Sequence, residues 1–323
     1  MEKNEKTVNR KKSSKISIEL EEIDIKCVKS LAKDPVASWR QLSKDSGVPE
    51  KTVARRIKKL MDQHVLRVVG ECDPLMLKKG VVVHVWLECE LGMTESVALQ
   101  LASFVDSRLV VALAGASDLM AEFYFDDVEQ LLDLTVSTLP HVAGIRQFDV
   151  SMVLQSFKRA SQWQMTEMLP EKLKVTLSEQ ERQLVELLMQ DGRANLNVLA
   201  THLGISEPTA FRMMQALTDS GVLRFRVDIE PKLMGYAAEA IVCLEVNPNH
   251  LTTVAQALSK HPNTRCLFGT SGRSQLFWHV LCEDNVDLWP LMSEDLGGLE
   301  GISRINMNMI NQAFKRCGAI RPV

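Results

Sequence analysis

Five cations, Lys51, Arg55, Arg56, Lys58 and Lys59, fall within nine residues of the segment EKTVARRIKKLMD, against the carboxylates of Glu50 and Asp62. Cations at this density neutralise phosphate charge, and each phosphate so covered releases condensed counterions. Arg55 lies one helical turn beyond Lys51, so a helix over residues 50–62 sets the two on one side. Pro49, Glu50, Lys51 and Thr52 open that helix, at the end whose side chains reach base edges when a helix enters a major groove. Pro49, Glu50, Lys51, Thr52, Arg55, Arg56, Lys58 and Lys59 are therefore the candidate nucleic-acid contacts. A solvated helix face is the plainer use of the same charges.

Other chemistry finds no support in the spacing. Seven histidines, at 64, 84, 141, 202, 250, 261 and 279, show no repeated metal-ligand interval, and none pairs visibly with a nucleophile. Seven cysteines, at 27, 72, 89, 243, 266, 282 and 317, form no CxxC pair and read as packing thiols of a reducing cytoplasm. No metal, cofactor or catalytic residue is expected. The most apolar stretches, such as GVVVHVW from Gly80, fall far short of a membrane span, and no signal-peptide run follows the N-terminal charges. The expected location is the cytoplasm.

The elements that would position the basic helix occur twice. The segment GVPEKTVARRIKKL at 47 returns as GISEPTAFRMMQAL at 204, an offset of 157. The offset holds without a gap from Leu20/Leu177 to Arg159/Arg316, ending in QSFKR and QAFKR. In each copy an apolar stripe at helical spacing, a second short helix, a glycine and a third helix form a helix-turn-helix pattern. Gly47 and Gly204 sit where the turn needs a positive φ. VLRVVGE and VLRFRVD then supply a short strand, giving a winged form. Beyond it, each copy alternates in the order strand, helix, strand, strand, helix, strand, which predicts an α+β fold with a ferredoxin-like βαββαβ layer.

The expected organisation is a flexible basic arm at 1–15, a first helix-turn-helix domain at 16–70 and a first βαββαβ effector and assembly domain at 71–159. A linker at 160–174 leads to a second, weakly charged helix-turn-helix domain at 175–227 and a second βαββαβ domain at 228–323. The copies differ in charge. Residues 207–219 hold one cation, Arg212, against two carboxylates, where residues 50–62 hold five against two. The first copy is the expected DNA reader.

A helix-turn-helix followed by a βαββαβ unit resembles the leucine-responsive regulatory protein/AsnC family of transcriptional regulators, here as a tandem duplication. The resemblance rests on LSKDSGVPEKTVARRIKKLMDQHVLR, LATHLGISEPTAFRMMQALTDSGVLR and the Gly-x-Ser-x-Leu hairpins at 115 and 272. It implies sequence-specific binding to a double-stranded DNA operator, homodimers or higher oligomers formed through the sheet domains, and control by an amino acid or related small molecule. In the family such effectors lie near the hairpin turns, which places them here at Gly115, Ser117 and Asp118 and at Gly272, Ser274 and Gln275. An Asp there would pair with an α-ammonium group, whereas a Gln offers neutral hydrogen bonds, so unequal sites are expected. A tight turn alone would also use Gly and Asp.

Two rival readings come from other classes. Tandem proteins of this fold include siroheme decarboxylases, but LVVALAGASDLMAEF and TRCLFGTSGRSQLFWHV lack the His- and Arg-rich strand signatures those enzymes carry. A protein-interaction module that has lost DNA binding would need no cationic third helix.

Overall fold

The computed structural model describes residues 20–72, 77, 80–159 and 177–321. The basic arm, the linker and residues 16–19 of the first domain lie outside the described residues.

In the first copy the periodic stripe becomes three helices, α1 (Glu22–Lys33), α2 (Trp39–Ser46) and α3 (Glu50–Asp62). Ser38 caps α2 by accepting from Gln41 N–H, and Gly47 ends it at φ 67°. Val53, Ile57 and Leu60, at i, i+4 and i+7, turn the apolar face of α3 inward and are buried. The second copy repeats this as α6 (Glu179–Gln190), α7 (Leu196–Leu203) and α8 (Glu207–Asp219), with Gly204 at φ 65°. At the start of α6 the Ser178 N–H donates to Glu181, whose own N–H donates back to the Ser178 hydroxyl.

The strand after each third helix does not fold back as a wing of its own domain. β1 (Leu66–Glu71) pairs antiparallel with β6 (Arg224–Ile229), and the equivalent positions Val69 and Arg226 face each other at the centre of the ladder. One apolar core, containing Leu31, Leu42 and Ile57 with Leu184, Leu188 and Leu223, runs through both helical domains.

The sheet domains depart from expectation in a related way. The first supplies β2 (Val81–Cys89), α4 (Thr94–Ser103), β3 (Ser107–Ala114), β4 (Leu119–Phe125), α5 (Val128–Leu132) and β5 (Ile145–Arg159). The second supplies β7 (Ala238–Val246), α9 (Leu251–Lys260), β8 (Thr264–Thr270), β9 (Leu276–Cys282), α10 (Leu288–Pro290), β10 (Ile302–Arg316) and the short β11 (Ala319–Ile320). Within each half the strands stand in the order last, first, third, second. The halves are not separate open layers. β3 pairs with β10, β5 pairs with β8, and the sheet closes as an eight-stranded antiparallel barrel. An open four-stranded sheet leaves two edges of unpaired backbone groups, and each half covers the edges of the other.

Closure explains the run-like strands. Val83, Val85 and Leu87 face the helices, while His84 and Trp86 face the lumen, so β2 is buried on both sides. The lumen is filled by Val111, Met120, Ile241, Phe268 and Phe277, with contributions from both halves.

Candidate nucleic-acid interface and ligand cleft

On α3 the residues opposite the buried stripe are Lys51, Arg55, Lys58 and Lys59, all exposed. Pro49 and Glu50 are exposed at its start, and Thr52 is half-buried at the side. Arg56 departs from the sequence expectation. It points along the helix bundle, where its Nη1 lies 2.7 Å from Glu21 and 3.3 Å from Asp24. That hydrogen bond and charge hold the Glu21 carboxyl below its usual range. Arg56 thus ties α3 to α1, because Asp24 is buried and needs a cation.

The equivalent outward positions of α8 are Pro208, Arg212, Gln215 and Ala216. Its one cation donates Nε to the Pro208 carbonyl at 3.2 Å. Phe211 is exposed beside it, whereas Met213 and Met214 pack against the core. Arg193 joins the two helical domains by donating to the carbonyls of Pro35 and Ala37 at 2.8 and 2.9 Å.

At the barrel end farther from β1 and β6, a cleft of about 240 Å³ crosses the pseudo-two-fold between the halves. Its walls are equivalent positions, three pairs carrying different side chains, Trp86 and Cys243, Asp149 and Asn306, Ser151 and Asn308, and one pair alike, Ser117 and Ser274. Arg273 is exposed at the rim, and Arg304 Nε lies 3.5 Å from Glu245. Burial pushes the Cys243 thiol up to about 12, so this wall is neutral. A cleft with carboxylates and guanidiniums around an aromatic floor can hold a small zwitterion.

Of the six expected effector residues, the cleft gathers Ser117, Gly272 and Ser274. Asp118 and Gln275 do not line it, and each side chain accepts from a backbone N–H. Asp118 Oδ2 accepts from Cys89 N–H at 2.7 Å, and Gln275 Oε1 accepts from the equivalent Val246 N–H at 2.9 Å. Both fasten a hairpin to the first strand of its own half. Gly115 is not a lining residue either. A Cβ there would collide with the side-chain oxygen of Asn308, which accepts from Ala116 N–H at 2.9 Å. Residues of both hairpins thus line one cleft between the halves. Sequence reasoning missed Trp86, Asp149, Arg273, Arg304 and Asn308; Asn308 meets the first hairpin only because β10 pairs with β3 across the halves.

Toward the helical domains the lumen turns ionic. His84 Nε2 lies 3.1 Å from Glu122, and Arg159 Nη1 donates to the Tyr124 hydroxyl at 2.5 Å. Glu239 accepts from both Nη atoms of Arg316 at 2.8 and 2.9 Å. Among the described residues no group of three His, Cys, Asp or Glu could hold a metal ion, and no helix is long and apolar enough to cross a membrane.

Comparison with known proteins agrees with this anatomy. Residues 20–61 match the AsnC-type helix-turn-helix domain, 177–224 the winged helix-turn-helix DNA-binding family, and 239–320 the Lrp/AsnC ligand binding domain. The HTH-type transcriptional regulator LrpA of Pyrococcus horikoshii is 26% identical over 140 residues, 43% of this chain and 99% of that protein. LrpA of Pyrococcus abyssi matches to the same extent. Among solved structures, the siroheme decarboxylase NirDL covers 93% of both chains with a TM-score of 0.60 and 17% identity, a likeness of architecture alone. With its helix-turn-helix present twice and its sheet unit closed on a second copy, the chain belongs to the Lrp/AsnC family of DNA-binding transcriptional regulators.

Proposed function

We propose that the chain reads a double-stranded DNA operator in the cytoplasm through the outward face of α3. Lys51, Arg55, Lys58 and Lys59 would grip phosphates and bases there, with Pro49, Glu50 and Thr52 at the entry into the groove. The observation that carries this reading is the contrast at equivalent outward positions, four cations on α3 against one on α8. The cations of residues 1–15 would add affinity for any sequence. The second helix-turn-helix keeps the fold for assembly. Since one chain offers one strongly cationic helix and a palindrome needs two, the DNA-bound species is at least a dimer of chains.

The shared cleft takes an amino acid or a related small molecule, its carboxylate toward Arg273 and its ammonium toward Asp149, with Ser117, Gly272 and Ser274 at the sides.

The test is selection of bound sequences from a random DNA pool, followed by titrations at several salt concentrations. Replacing Lys51 and Arg55 together with Ala removes four cations from a bound dimer and is expected to flatten the slope of log affinity against log salt by up to about 4. Arg212→Ala is expected to leave it nearly unchanged. Equal losses from both changes would sink the assignment of the reading surface to α3.

A further inference from the structure

Cys266 stands between two basic cross-strand partners in the lumen. The register pairs it with Arg159 of β5, across the seam between the halves, and with His279 of β9. His279 hydrogen-bonds Cys266, and its Nε2 also lies 2.7 Å from Glu239. Glu239 is itself fixed by the two-point grip of Arg316. The result is a chain of groups, Arg316, Glu239, His279 and Cys266, in which a carboxylate orients an imidazole and the imidazole meets a thiol. This is the arrangement that activates a cysteine nucleophile by an adjacent base held by a third group.

The electrostatics point the same way. Burial alone would raise the Cys266 thiol, but His279, Arg159 and Arg265 outweigh it and hold the thiol below its ordinary value. Lys158 of β5 and Arg226 of β6 add further positive charge within reach of the sulfur. Burial would lower His279, yet its bonds to Cys266 and Glu239 hold it above the usual range. Two other half-buried thiols behave oppositely. Burial raises Cys243, with no cation among the described residues offsetting it, and also raises Cys317 although Arg226 donates to its sulfur.

We propose that Cys266 is a modification site, a thiolate paired with the His279 imidazolium inside the barrel that attacks small electrophiles, hydrogen peroxide among them. The thiol proton resides on His279. The sulfur lone pair forms an S–O bond to one peroxide oxygen as the O–O bond breaks. The departing hydroxide takes the imidazolium proton and leaves as water. Sulfur is oxidised to the sulfenic acid and the peroxide is reduced by the same two electrons. Cys266 is half-buried. The inference does not depend on which helix reads DNA.

The full chain, reduced and folded, would be treated with iodoacetamide across a pH series, and alkylation of each cysteine counted by peptide mass spectrometry. At pH 7 Cys266 is expected to react about 10-fold faster than Cys243 or Cys317. Dilute hydrogen peroxide followed by dimedone is expected to leave the sulfenate adduct at Cys266. His279→Gln is expected to move the alkylation profile of Cys266 to higher pH. Cys266 reacting no faster than Cys243, or gaining no dimedone adduct, would overturn the proposal. The comparison among cysteines is internal to one folded protein and stands even where His279→Gln fails to fold.

Discussion

Arg193 of the second unit lies over the Trp39 ring of the first, its guanidinium carbon 4.4 Å from the ring centroid. The same guanidinium caps the carbonyls of Pro35 and Ala37, so one planar fork makes a stack and two hydrogen bonds. Position 36, its equivalent in the first unit, is an exposed valine, and no such tie runs the other way. Arg193→Ala is expected to cost about 1–3 kcal/mol of stability, from the lost stack and two unpaired carbonyls. Arg193→Lys keeps the charge but not the planar fork and is expected to recover less than half of it. Urea unfolding followed by circular dichroism measures both; a wild-type midpoint for Arg193→Ala would show that the tie contributes nothing.

Arg56 and Arg55 are neighbours with different work. Arg56→Ala leaves the buried carboxylate of Asp24 without its cation and is expected to destabilise the first domain by about 1–3 kcal/mol. Arg55→Ala is expected to leave the melting temperature unchanged while weakening DNA binding, since its side chain is exposed. Paired melting and DNA titration of the two variants separate the roles. A salt-dependent loss of DNA affinity in Arg56→Ala, with no change in melting, would reverse the assignment.

Asn308 links the last strand of the second unit to a hairpin of the first. Asn308→Ala removes the acceptor for Ala116 N–H and is expected to cost about 1–2 kcal/mol. It also widens the cleft that Asn308 lines, so the affinity for any amino acid found to bind there should fall as well. Isothermal calorimetry against single amino acids, with unfolding as the companion measurement, tests this. Unaltered binding together with lowered stability would place the ligand elsewhere.

The lumen carboxylates make stability pH-dependent at the acid end. Glu122 is buried, which alone would raise it, but His84 and Arg159 bring it down to about 2. Its folded value is therefore below the ordinary carboxylate value of about 4.3, and its contribution is complete above that pH. The contribution is lost as pH falls from about 4 toward 2. At the alkaline end Lys315 is lowered to about 8 by burial and by Arg108. The unfolded chain then holds the extra proton, so stability is expected to rise between about pH 8 and 10. Lys315→Met should remove that rise and Glu122→Gln should reduce the acid loss. Denaturation midpoints across pH would contradict this if neither variant altered the slope.

Much of the architecture was legible in the chain. The unbroken offset of 157 gives two units, and Val53, Ile57 and Leu60 at helical spacing give α3 its inward face. Gly47 and Gly204 mark the two turns by a requirement that acts within a few residues. The cationic outward face of α3 follows from the same periodicity. Each of these features depends on neighbours three or four positions away, where sequence order and spatial order coincide.

Other features depend on partners far along the chain. Helical spacing alone sets Arg56 among the DNA contacts, because the carboxylates that hold it stand 35 and 32 residues earlier. The partner of Asp118 is likewise distant, the backbone N–H of Cys89. Cys266 and His279 are only 13 residues apart, and a hairpin centred on the turn after Thr270 would have set them opposite each other. Scanning for a regular metal or catalytic interval passes over such a pair, since cross-strand contact depends on register.

The sequence by itself determined the duplication, the helices, the succession of strands and helices along each unit and the half that carries the cations. Only the tertiary structure decided that the two sheets close into one barrel, that β1 and β6 pair across the units, and that residues of both hairpins line one cleft. The physical reason is the exposed sheet edge. Any strand offers the same unpaired N–H and C=O groups, so nothing in its residues names the partner. Tethering two complementary units on one chain let each satisfy the other, and the cleft and the ionic lumen formed where they met.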